Sequence, residues 1–199
     1  LRGGGGQWMT AGRGIIHSEM PQQVSGRLRG FQLWLNLPAK EKMKPAHYRD
    51  IRPDEIPTVA LTDKVTVRVI AGEIATGEGK VRGPIHGLTT EPLYFDVRLA
   101  AGATFTQAVP DGHTVFVYSY EGKLAIGPVD ATRNLDTHSA GALIGGDEVR
   151  VTAVDGPASF LLLAARPIGE PVVQYGPFVM NTREEIEQAI NDYQNGTLA

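Results

Sequence analysis

From Thr58 onward the chain alternates apolar and polar residues with a period of two. Val65, Val67 and Val69 alternate with Thr66, Arg68 and Ile70, and Leu93, Phe95, Val97 and Leu99 with Tyr94, Asp96 and Arg98. Val115 and Val117 alternate with Phe116, Tyr118 and Tyr120, after which Glu121-Gly122 is the predicted turn. Successive side chains of an extended backbone point to opposite faces, so this pattern predicts strands with one face in a core. Lys123 to Ile126, Glu148 to Val154 and Ser159 to Ala165 are further strand candidates. Short strands divided by Gly, Pro and Asp turns predict a sandwich or barrel, and the pattern matches a double-sheet jelly roll.

The first quarter of the chain carries the same signal more sparsely. Phe31, Leu33, Leu35 and Leu37 alternate with Gln32, Trp34 and Asn36, which predicts a half-buried strand ended by Pro38. Gln22 to Gly30 is polar and bounded by glycine, a predicted loop. Ala39 to Met43 suits one helical turn, and Pro45, Pro53 and Pro57 then exclude any longer helix. A real helix is predicted only near the end. Thr182-Arg183-Glu184-Glu185 has the spacing of a capping box, and Ile186, Ala189, Ile190 and Tyr193 follow as one apolar stripe. Gly196 is its predicted stop.

Composition narrows the function classes. The 199 residues include no cysteine, which excludes disulfides, thiolate metal sites and cysteine nucleophiles. No run of about 18 apolar residues occurs, so no membrane-spanning helix is predicted, and the start lacks the pattern of a signal peptide. A cytoplasmic or nuclear setting is expected. Residues 1–52 hold nine Lys/Arg against three Asp/Glu, while residues 53–199 hold ten against nineteen. Such asymmetry can mark a basic face for an acidic partner. No G-x-S-x-G elbow, phosphate loop or dinucleotide fingerprint is present, and Gly3 to Gly6 is not followed by Lys-Ser/Thr.

The candidate chemistry is His17-Ser18-Glu19. If Ile15 to Glu19 is extended, the His17 imidazole and the Glu19 carboxylate share a face and Ser18 points away. Nitrogen with carboxylate ligation suits iron, manganese, zinc or nickel. The surrounding run Gln7-Trp8-Met9-Thr10-Ala11-Gly12-Arg13-Gly14-Ile15-Ile16-His17-Ser18-Glu19-Met20-Pro21 resembles the metal-site motif of the pirin family, within the cupin superfamily. The resemblance continues in Gly30-Phe31-Gln32-Leu33-Trp34-Leu35-Asn36-Leu37-Pro38-Ala39-Lys40 and returns in Tyr175-Gly176-Pro177-Phe178-Val179-Met180-Asn181-Thr182.

The resemblance implies an all-β bicupin: two jelly-roll β-barrel domains, the N-terminal one incomplete, with a short C-terminal α-helix. Residues 1–44 are then expected to be the later part of the N-terminal domain with half of the metal site, and 45–57 a linker. Residues 58–180 would form a metal-free C-terminal cupin domain, and 181–199 the helix and tail. It also implies three histidines and one glutamate around iron. His17 and Glu19 match one histidine and the glutamate, and the other two ligands belong to a His-x-His pair upstream of the motif, which this sequence does not contain. The chain is therefore expected to lack an upstream segment and to hold an incomplete site for Fe(2+) or another divalent metal. His47, His86, His113 and His138 each stand alone, with no metal-ligand spacing to one another. Gly102 is followed by Ala103 to Pro110, which has no ligand pair, so no metal is expected in the second barrel.

The implied activity is that of an iron-dependent quercetin 2,3-dioxygenase, with a flavonol and O2 as small-molecule substrates. His17 would be a ligand, and Glu19 a ligand or the catalytic base that takes the flavonol proton. The competing implication is a non-enzymatic, iron-dependent transcriptional co-regulator. Its protein partner would meet a basic face of Arg13, Arg27, Arg29, Lys40, Lys42 and Lys44. No DNA-reading motif occurs, so direct sequence-specific nucleic-acid binding is not expected, nor is membrane association.

Overall fold

Alternation becomes a strand only where a neighbour supplies the ladder, and the two ends of this chain differ in that respect. The structure is a computed structural model that describes residues 2–20 and 24–198. Its elements are β1 (Gly6–Thr10), α1 (Ala39–Lys42), β2 (His47–Ile51), β3 (Thr58–Thr62), β4 (Val65–Ala71), β5 (Glu73–Thr76), β6 (Gly79–Arg82) and β7 (Leu93–Leu99). They continue with β8 (Thr104–Ala108), β9 (Thr114–Ile126), β10 (Arg133–Leu135), β11 (Ser139–Leu143), β12 (Glu148–Ala165), β13 (Val173–Tyr175), β14 (Phe178–Met180) and α2 (Arg183–Gln194). This is the expected all-β, cupin-type fold with a short C-terminal helix. The chain divides into two compact units, Leu1–Gly6 with Ile51–Pro167, and Gln7–Asp50 with Ile168–Ala199.

In the first unit eight strands form one antiparallel sheet, ordered β10-β9-β12-β7-β4-β3, with β11 on β9 and β8 on β12. The predicted parity holds. Val65, Val67, Val69, Phe95, Val97, Val117, Val151, Phe160 and Leu162 are buried in one apolar cluster. Phe105 meets Phe160 edge to face, with ring centroids 5.9 Å apart. Burial of each such side chain contributes about 1.5–3 kcal/mol, so the sheet's inner face is what holds this unit together.

Two predicted breaks in this region are bends within longer strands. β9 runs unbroken through Glu121-Gly122, and the two candidates at Glu148 to Val154 and Ser159 to Ala165 are halves of β12. The register of β12 on β9 shifts between Val154 and Ser159, where Asp155 adopts φ 60° and Gly156 φ 146°. Gly122 sits opposite with φ 71°, and a Cβ there would stand 2.3 Å from the Pro157 carbonyl oxygen. Both strands bend at one point, and glycine permits the contact. A glycine in a strand reads as a turn until the neighbouring backbone is in view. The bend lets β12 pair first with β8, through Glu148 to Thr152, and then with β7, through Ala158 to Ala164.

The glycine run at the start has a structural use as well. Gly5 donates its N–H to the Arg2 carbonyl at 3.0 Å, closing a turn in which Gly4 adopts φ 83°. Arg68 donates to the Gly4 carbonyl. A Cβ on Gly5 would lie 2.8 Å from the Ile51 carbonyl oxygen.

In the second unit β1 pairs with β2, and β13 with β14 as a hairpin that precedes α2. The expected linker 45–57 thus carries β2 and a 3-10 turn, Pro53–Glu55. The expected helical turn is α1, and the capping box is formed. Thr182 Oγ1 accepts from the Glu185 N–H at 3.2 Å, and Glu185 Oε2 accepts from the Thr182 N–H at 2.9 Å. Ile186 is buried, while Tyr193 is exposed and meets the Phe178 ring at 6.5 Å. The predicted strands at Ile15 to Glu19 and Phe31 to Leu37 are not formed, because no strand among the described residues runs alongside either segment. Part of the predicted loop from Gln22, together with Pro21 of the first motif, lies outside the described residues.

Candidate metal centre

The Gly12-Arg13-Gly14 turn fixes where the candidate ligands begin. Gly14 donates its N–H to the Ala11 carbonyl at 3.0 Å, and Arg13 to the Lys44 carbonyl at 2.9 Å. Gly12 adopts φ 56°, and a Cβ there would overlap the Lys44 carbonyl oxygen at 2.1 Å. Gly14 adopts φ 153°, and its Cβ would sit 2.5 Å from Leu198 Cγ. Both glycines are thus required by close backbone approach, and they launch the segment that carries His17 and Glu19.

His17 and Glu19 are both exposed. Glu19 lies close enough to Tyr48 for its charge to act on the phenol. Tyr48 belongs to a polar set on the β1–β2 pair, inside the segment 45–57 that the sequence predicts to be a linker. Tyr48 OH donates to Asp50 Oδ1 at 2.7 Å, and Gln7 Nε2 donates both to Asp50 Oδ1 at 3.2 Å and to the Tyr48 oxygen. The hydrogen bond to Asp50 raises the Tyr48 pKa above the usual tyrosine value, with burial and the Asp50 charge adding to it, and Glu19 adding a smaller push. The bonds from Tyr48 and then Gln7 hold Asp50 below the usual aspartate value. At neutral pH the phenol is a donor and Asp50 an anion. The i, i+2 spacing of Tyr48 and Asp50 was the available signal, since it places both on one face of a strand.

The residues present supply two donors of the right chemistry for a divalent first-row metal, an imidazole nitrogen and a carboxylate. No group of three or more His, Cys, Asp or Glu side chains able to hold a metal exists among the described residues. His17 and Glu19 thus have the donor chemistry of metal ligands, and the two alone do not make a complete site. The other histidines are placed elsewhere. His47 is exposed on β2, His86 Nδ1 contacts the Gly83 carbonyl at 3.2 Å, and His113 Nε2 contacts that of Glu91 at 3.2 Å. His138 occupies a left-handed turn with φ 61°.

The basic face needs one correction. Lys42 is buried and donates to Asn36 Oδ1 at 2.6 Å and to the Val179 carbonyl at 2.9 Å. Burial lowers its pKa, against the opposing pull of Glu170 and Glu185. It ties α1 to β14 and is not available to a partner. Lys44 is ion-paired with Glu41 at 2.8 Å, whereas Arg13, Arg27, Arg29 and Lys40 are exposed.

Comparison with known proteins places this geometry in a family. Residues 1–35 match the Pirin family model, and residues 94–199 match that of the Pirin C-terminal cupin domain. A pirin-like protein of Caulobacter vibrioides is 50% identical over 97% of this chain and 67% of its own length. Human pirin is 45% identical over 95% of this chain and 63% of its own. A solved quercetin 2,3-dioxygenase from Acinetobacter baumannii superposes with a TM-score of 0.80 at 31% identity, over 98% of this chain and 67% of that one. The chain thus spans about two thirds of the length of these relatives. No helix among the described residues is long and apolar enough to cross a membrane.

Proposed function

The chain belongs to the pirin family of cupins, and from that premise we propose that it is part of an iron-dependent dioxygenase that opens flavonols such as quercetin. The observation that carries the reading is the likeness, over nearly the whole chain, to a solved quercetin 2,3-dioxygenase. His17 and Glu19 are two ligands of the metal in this reading. A divalent ion bound there supplies Lewis acidity to the vicinal oxygens of the flavonol. Glu19 also has the chemistry of a base for the flavonol hydroxyl proton, since a carboxylate at neutral pH accepts it directly. Tyr48 lies near Glu19 with its single phenolic hydrogen donated to Asp50.

The test is quercetin loss in the native-length protein loaded with Fe(II), with and without O2. Oxygen-dependent loss that disappears in His17→Ala and Glu19→Gln supports the reading. Turnover that survives Glu19→Gln removes the role given to that carboxylate. Absence of turnover in iron-loaded protein favours a second reading, a co-regulator that meets an acidic protein through Arg13, Arg27, Arg29 and Lys40. The exposure of those four side chains supports that reading. Neutralising Arg13 and Arg27 would then weaken partner binding and leave iron content unchanged.

A further inference from the structure

The outer face of the first unit carries a cavity of about 330 Å³, bordered by Gly4, Thr58, Thr66, Arg68, Asp96 and Arg98. Strand register assembles it. Arg68 on β4 stands opposite Asp96 on β7, and Thr66 opposite Arg98, while Thr58 on β3 stands opposite Arg68. All have the outward parity, since their neighbours Val65, Val67, Val97 and Leu99 are buried in the core. Arg68 and Arg98 are diagonal neighbours on adjacent strands, with Cα atoms about 7–8 Å apart in such a pairing, so both guanidinium groups can reach one small ligand.

The charges here are not balanced internally. Asp96 Oδ1 accepts the Tyr120 phenol at 2.5 Å. Neither arginine has an ion-pair partner among the described residues; the bond Arg68 makes is to the neutral Gly4 carbonyl. Gly4 borders the cavity beside Arg68, and a Cβ there would stand in ordinary contact, 3.5 Å, with both terminal nitrogens. The cavity therefore presents two guanidinium forks and two threonine hydroxyls beside one carboxylate, Asp96, which accepts the Tyr120 phenol and keeps its charge. Guanidinium forks bind phosphate and carboxylate oxygens in pairs. With Asp96 the cavity keeps a net positive charge. A tetrahedral anion offers enough oxygens to meet both guanidinium forks and the hydroxyls at once, whereas a carboxylate offers only two. We propose that this groove binds the phosphate group of a small phosphorylated molecule through Arg68 and Arg98, with Thr58 and Thr66 as neutral partners. The volume is at the small end of ligand sites, which run from about 300 to 1,000 Å³.

The proposal is independent of the metal reading and is tested without activity. Inorganic phosphate is titrated into the native-length protein at constant ionic strength, with arginine Nε–Hε signals followed by NMR and acetate as the carboxylate probe. The Arg68 and Arg98 signals shift saturably with phosphate, and acetate binds at least about tenfold more weakly, a difference of about 1.4 kcal/mol. Arg68 also holds the glycine turn, so the informative variant is Arg98→Gln, whose site is exposed and unpaired. It weakens phosphate binding by about tenfold or more, while Arg82→Gln, in the β5–β6 hairpin, ion-paired with Glu73 and outside the cavity lining, leaves it unchanged. Linear shifts, unchanged binding in Arg98→Gln, or equal binding of acetate would each overturn the assignment.

Discussion

Val65 to Ala71 and Phe31 to Leu37 carry the same alternation, yet only the first is a strand. In the sheet, Val67 and Val69 are fully buried at 0% exposure, between β3 on one side and β7 on the other. In the second unit Phe31, Leu33 and Leu35 remain 43%, 38% and 39% exposed, and no ladder forms. Apolar periodicity states which face wants burial. It does not provide the backbone partner that satisfies the N–H and C=O groups of an extended chain, and without that partner the segment gains little from being straight.

Truncation sharpens this contrast most. Phe95→Ala should cost about 3–5 kcal/mol by urea denaturation, because it empties a packed core position. Leu35→Ala should cost less than about 1 kcal/mol, since that side chain is only partly removed from water. Equal losses would mean that the segment around Leu35 is as tightly held as the sheet, and the comparison would fail. Gly122→Ala comes next, at about 1–3 kcal/mol, since the new residue must adopt φ 71° and its Cβ meets the Pro157 carbonyl. A smaller effect belongs to the helix of the second unit. Thr182→Ala removes the cap and should cost about 1 kcal/mol, read as loss of amide-exchange protection in the first turn of α2.

A further effect is pH-dependent and again separates the regions. Burial, aided by the hydrogen bond to Asp96 and its charge, pushes the Tyr120 phenol up to about 12. The folded state holds that proton after the unfolded chain, with a tyrosine value near 10, has released it. Its contribution is thus complete below about pH 10 and lost as pH rises toward 12. Denaturation midpoints between pH 9 and 12 should fall, and Tyr120→Phe should flatten part of that slope. Tyr94 shares the direction and the value of about 12 through burial and the nearby Asp96, so some slope persists in the variant. A slope unchanged by Tyr120→Phe would remove Tyr120 as its source.

Strand positions from Thr58 onward were legible because each apolar residue of β4 and β7 has its partner within the chain. The helix was legible from Thr182 and Glu185, a purely local device. The length of β9 and β12 was not, since Gly122 and Gly156 look like turns until the two bends are seen to coincide. Gly3 to Gly6 carries no local sign of its use, which depends on Arg68 and Ile51, more than 40 residues away. At the candidate centre, His17 and Glu19 stood out by residue type and motif. Tyr48 and Asp50 did not, because the prolines flanking them suggested a linker, and their bonds to Gln7 join residues about 40 positions apart.

The placement of β12 has a consequence for how this sheet is made. β7 and β9 share no ladder and are joined only through β12, which is also the partner of β8 and comes last in the unit. While the chain emerges from the ribosome, β3, β4 and β7 can pair among themselves, and β9 can pair with β10 and β11. Neither half can close its apolar face until Ala165 is free. The sheet therefore assembles late and from distant contacts, the topology that folds slowly and leaves strand edges open to aggregation in the interval. A nascent chain stalled before Glu148 should be protease-sensitive throughout this unit, and release of the 18 residues of β12 should protect both halves in a single step.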